Sequence, residues 1–120
     1  MSKITQEMIE ASYKYGKMCA IGDISDADAI KNIIAETNMN ESSAKFSINN
    51  MKCWLKEKDY FHSMSANETI WKLDKIEVDY GFDKLLRVIN IVERNINSKR
   101  SVNKRIREYI DNVRRRVGDQ

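Results

Sequence analysis

Apolar residues recur every three or four positions along most of the chain, and the polar residues between these runs are the types that start and stop helices. Ile4, Met8, Ala11, Tyr15 and Met18 or Cys19 share one side of a helix from about Thr5 to Ala20. Gly22 can end that helix by taking the left-handed conformation. Ser25, with Asp28 three residues later, resembles a capping box and opens a second helix whose inner face is Ile30, Ile33, Ile34 and Thr37. The turn Asn38-Met39-Asn40 then leads into a third helix, about Glu41 to Lys58, because Asn prefers caps and turns to helix interiors. After the connector DYFHSM, the capping box Ser65-Ala66-Asn67-Glu68 starts a fourth helix that ends at Asp79-Tyr80-Gly81. Leu85, Ile89, Val92 and Ile96 define a fifth helix, about Asp83 to Asn97. Val102, Ile106, Tyr109, Ile110, Val113 and Val117 form the stripe of a sixth, about Val102 to Val117.

No segment alternates polar and apolar residues as a half-buried strand does, and the chain has no proline and only 4 glycines. The pattern predicts an all-α fold, a compact single-domain bundle of five or six helices. Ile33, Ile48, Leu55, Leu73, Ile89 and Val92 are its expected core. There is no internal repeat or low-complexity segment. At 120 residues the chain is one domain's worth, long enough to bury a real core.

Charge alters this picture at one end. Residues 1–97 hold 13 Lys/Arg against 15 Asp/Glu, and residues 98–120 hold 8 against 3. The expected organisation is a helical core over 1–97 with a basic C-terminal helix, 98–120, packed on the same domain. Lys99, Arg100 and the run Arg114-Arg115-Arg116 are the positive charges left over after internal pairing. A modest phosphate contact fits them, a dedicated nucleic-acid arm does not. No apolar run approaches the ~20 residues of a membrane span, and MSKITQEMIEAS lacks a signal peptide's apolar core, so a cytoplasmic protein is expected. Cys19 and Cys53 then read as reduced thiols lining the core.

The third helix carries the candidate binding residues. At 100° per residue, Ala44, Ile48, Met51 and Leu55 fall within about 60° of arc, an ordinary core stripe. Phe46 and Cys53 lie opposite, bordered by Ser42, Asn49 and Asn50, with Lys45, Lys52 and Lys56 along one flank. Residues 25–58 are thus compatible with a helix-turn-helix-like unit. In such a unit Ser42, Ser43, Lys45, Phe46 and Asn49, near the start of the second helix, would meet the major groove. Asn suits adenine edges, Lys suits guanine or phosphate, and Ser suits either. Glu41 argues against this by repelling phosphate, and any αα-hairpin has the same outline. A contact with a partner protein, or packing against another helix, therefore stands beside the DNA reading.

Catalytic signals are missing. His62 is the single histidine, with no oriented nucleophile in its neighbourhood of sequence, and Cys19, Cys53 and His62 have no metal-ligand spacing. No glycine-rich phosphate loop occurs. The expectation is a non-enzyme without cofactor or metal, with Trp71, Tyr80 and Gly81 structural and Trp54 more suited to packing than to contact.

The runs MNESSAKFSINNMKCWL, SANETIWKLDKIEVDYG and the Tyr60 between them resemble the helical domain found at the N-terminus of some bacterial HNH-type endonucleases. Met39-Asn40, Ser43-Ala44, Ile48-Asn49-Asn50, Lys52-Cys53, Leu55, Ser65-Ala66, Thr69, Trp71, Leu73, Ile76 and Asp79-Tyr80-Gly81 carry the match. The earlier EASYKYGKMCAIGDIS is similar to that domain's first helix, so the resemblance spans about residues 4–96. The chain departs from the pattern at Glu57, where the family has glycine, at His62, where it has arginine, and at Asn95, where it has histidine. The basic segment 98–120 replaces the family's aromatic-rich tail, and no HNH nuclease follows. The resemblance implies an accessory module that positions a nuclease on DNA, here as a stand-alone relative. It leads to two expectations of partner: duplex DNA, or a nuclease of a restriction or defence complex. The second includes the role of a phage or mobile-element inhibitor or adaptor of such a nuclease. A structural module that forms a homodimer through its sixth helix is a third reading.

Overall fold

The computed structural model describes residues 4–60, 62–99 and 103–118. All regular structure among them is helical, in six elements: α1 (Gln6–Ala20), α2 (Asp26–Thr37), α3 (Glu41–Lys56), α4 (Ala66–Tyr80), α5 (Phe82–Ser98) and α6 (Lys104–Gly118). The all-α expectation of five or six helices holds. The chain divides between His62 and Ser63 into two compact units. Helix α6, set apart in the sequence by its charge, packs on α4 and α5. Arg100 and Val102, named above, lie outside the described residues.

The caps sit where the polar residues placed them. Thr5, Ser25, Asn40 and Ser65 each accept a backbone N–H of the first turn of α1, α2, α3 and α4 respectively. Asn38 closes α2 in the left-handed region, at φ 61°, a conformation Asn tolerates better than most residues. These local contacts, each typically worth about 1 kcal/mol, confine the α2–α3 link to a tight turn.

In the first unit α1 packs against both α2 and α3. Met8, Ala11, Tyr15, Cys19, Ala29, Ile33, Met39, Ala44 and Ile48 form one buried cluster there. Gly16 sits in the middle of α1 because α3 leaves no room for a side chain. A Cβ added to it would lie 2.5 Å from Met51 Cβ, well inside contact distance. The core face of α3 is turned from the expected stripe. Ser47, Asn50 and Trp54 are buried with Ala44, Ile48 and Met51, whereas Leu55 is only half-buried. Leu55 is therefore corrected from core to flank, and Trp54 takes its place.

In the second unit α5 supplies Leu85, Val88, Ile89, Ile91, Val92 and Ile96 to the interior. Leu73 and Ile76 of α4 and Ile106, Ile110 and Val113 of α6 are buried as well. One charged pair is buried with them. Lys72 Nζ lies 2.6 Å from Glu68 Oε2, one helical turn away, and the Lys72 side chain is 0% exposed.

Candidate contact surface on α3

Three outcomes were open for the far side of α3, and the structure divides it lengthwise. Glu41, Ser42, Lys45, Phe46, Asn49 and Lys56 are exposed, Ser43 and Lys52 are half-buried, and Asn50 is fully buried. Asn50 thus drops out of the expected reading surface. It lies on the edge of α3 where the chain returns, and its Nδ2 donates to the His62 carbonyl at 2.8 Å.

That return begins at Glu57. It is the C-cap of α3, at φ 58° and ψ 45° in the left-handed region, and its N–H donates back to Cys53 and Trp54 carbonyls. The reversal brings Tyr60 and His62 back beside the helix. Tyr60 meets Trp54 edge-on, with centroids 6.2 Å apart and planes at 69°. The His62 ring stacks on Phe46 at 3.7 Å and 26°. Trp54 is 0% exposed, whereas Phe46 remains 42% exposed in spite of the stack. Glycine is the residue best suited to this backbone, since a side chain in αL costs roughly 1–2 kcal/mol. Glu57→Gly is accordingly expected to stabilise the protein by about 0.5–1 kcal/mol, read as a raised urea midpoint at unchanged slope.

The electrostatics of the surface are nearly balanced. Lys52 Nζ is held by Asp26 at the start of α2, 2.9 Å from Oδ2, so among the described residues it is the flanking lysine with an internal anion. Lys45 and Lys56 extend from the same side. The arginines at 114–116 of α6 are also committed. Arg114 donates to Glu93 at 2.8 and 2.9 Å and to Asn90 at 2.7 Å. Arg116 donates to Glu77 at 2.6 and 2.9 Å and lies over the Phe82 ring. These hydrogen bonds hold the Glu77 and Glu93 carboxyls below the usual glutamate range. Arg115 donates to Asn112. The expected uncompensated cluster at 114–116 is corrected: Arg114 and Arg116 pair across to α5 and α4, partners that a single-helix wheel cannot display. Lys99, the C-cap of α5, is exposed, and Arg100 is not among the described residues.

Burial pushes the Cys53 thiol up in spite of Lys52, Lys56 and Lys58, which disfavours the nucleophilic thiolate. Among the described residues no group of three or more His, Cys, Asp or Glu is placed to hold a metal ion, and no helix is long and apolar enough to cross a membrane. A shallow groove of about 320 Å³ beside α1 and α2 is lined by Glu7, Glu10, Lys14 and Glu36, and Tyr15 donates to Glu36. Sequence reasoning missed the role of His62 in shaping the surface. A stack between residues so far apart in the chain has no short-range signature.

Compared with known proteins, the chain matches no family model, no curated protein and no solved structure.

Proposed function

We propose that this chain is a small non-catalytic binding protein that acts on DNA or on a DNA-processing complex of the restriction or defence kind, through the outer face of α3. The observation that carries the reading is the exposed row Ser42, Lys45, Phe46, Asn49 and Lys56, on a helix that follows a second helix after a three-residue turn. These are side chains that can meet base edges and phosphates, on a helix-turn-helix-like outline. The resemblance of residues 4–96 to a nuclease-associated domain supports the DNA-processing context.

Titration of labelled duplex DNA is the test. Association is expected to be micromolar at best and salt-sensitive, because the flank of α3 offers phosphates little more than Lys45 and Lys56. Lys45→Ala and Lys56→Ala should each reduce the salt slope by ~0.9, one phosphate's worth. Lys52→Ala should change it less, because Asp26 already neutralises that ammonium. No association with any duplex at low salt would sink the DNA reading.

A second reading, a protein-interaction factor such as an inhibitor or adaptor of a defence nuclease, is favoured by one specific observation. Phe46 is a half-exposed aromatic in a nearly charge-balanced surround, the kind of residue that anchors protein interfaces.

A further inference from the structure

An exposed phenylalanine on a polar helix face calls for a reason, because an exposed large apolar group is more informative than a buried one. Phe46 is not free to fold down onto its own helix. The His62 imidazole covers one face of its ring at 3.7 Å, and His62 is fixed in turn by the Asn50 amide on its carbonyl. The ring is thereby pre-positioned, with the rest of its surface outward and beside Asn49. With Asn50 buried, Asn49 is the amide left on the outward row of α3.

We infer that Phe46 is a specificity-determining residue that reads the 5-methyl group of a pyrimidine in the major groove of duplex DNA, with Asn49 reading an adjacent adenine. This rests on the DNA reading above. The major groove displays the thymine methyl as its one apolar feature, and phenylalanine is a side chain that contacts it. Asn pairs with adenine N6 and N7. Residues three apart on a helix stand about 5–6 Å apart, which is one to two base-pair steps of ~3.4 Å. Phe46 and Asn49 can therefore address neighbouring pairs of one A·T-containing step. Lys45 and Lys56 on the flank supply the complementary charge for the phosphates alongside. The same methyl group occurs on thymine and on 5-methylcytosine, so the chemistry recognised is the methyl rather than one base.

The experiment compares binding of the whole protein to labelled duplexes of one sequence that carry thymine, uracil, cytosine or 5-methylcytosine at the varied positions. Uracil removes only the methyl. Wild-type protein should bind the uracil duplex about fourfold more weakly per contacted methyl, the value of one buried methyl group. Phe46→Ala should bind more weakly overall and no longer distinguish thymine from uracil. Phe46→Leu, which keeps an apolar contact, should retain part of the discrimination. A gain on 5-methylcytosine over cytosine would assign recognition to the methyl from either source, and discrimination at thymine alone would restrict it to A·T pairs. Equal binding to thymine and uracil duplexes, with Lys45→Ala still weakening both, would overturn this inference and leave the DNA reading standing. Absence of binding to every duplex would overturn both and hand the Phe46 face to a protein partner.

Discussion

Lys72→Met should cost the second unit about 3–5 kcal/mol, the effect of removing one partner from a buried ion pair. The Lys72 ammonium is wholly enclosed and 2.6 Å from Glu68. Burial pushes the lysine down from its ordinary value, and the Glu68 carboxylate beside it acts in the opposite direction. Met fills nearly the space of the lysine stem, so the variant isolates charge from packing. What it removes is the ammonium 2.6 Å from the buried Glu68 carboxylate. The double variant Glu68→Leu/Lys72→Met should recover most of the loss, because two apolar residues have no charge to desolvate. Guanidinium unfolding followed by circular dichroism would measure both. A single variant within about 1 kcal/mol of wild type would show that the pair is solvated, and that α4 is not packed as described.

The helices were legible because their signals are local. Ser25, Asn40 and Ser65 cap the helices that follow them, and Leu85, Ile89, Val92 and Ile96 recur at the helical period and are buried. The α3 surface was legible only in part. A helical wheel assigns Asn50 outward because it is polar, yet its Nδ2 donates to a carbonyl 12 residues further on, a contact with no short-range signature. Leu55 gives up its expected core place for the same reason, while Trp54 is buried as its size suggests. The apolar arc says which side of α3 is greasy, while the returning Tyr60 decides how far around the helix burial extends. That return depends on a left-handed Glu57, and glutamate carries none of the preference by which Asn38 marked the end of α2. Lys72 is the mirror case. Its spacing from Glu68 is that of a surface pair worth ~0.2–0.5 kcal/mol, and only the packing of the second unit converts it into a buried one.

Trp54→Ala is expected to cost the first unit about 3–5 kcal/mol, as truncation of a fully buried aromatic does. It removes the 0%-exposed indole and leaves Tyr60 without its edge-on partner. Phe46→Ala, eight residues earlier on the same helix, should cost only about 0.5–1.5 kcal/mol, the value of an aromatic stack, because much of that ring is already in water. The contrast separates the two edges of α3 by their work: Trp54 ties the returning connector to the fold, and Phe46 is held out by that connector. Thermal melts of the two variants, run beside the duplex titrations, test both roles at once. Trp54→Ala should lower stability by several times as much as Phe46→Ala, while Phe46→Ala alone removes the discrimination between thymine and uracil. If Phe46→Ala melted as early as Trp54→Ala, the Phe46–His62 stack would be core, and the contact surface assigned to α3 would shrink to Ser42, Lys45, Asn49 and Lys56. A row so small and polar has no apolar anchor for a protein partner and no group to read a methyl. Binding would then rest on phosphate charge alone.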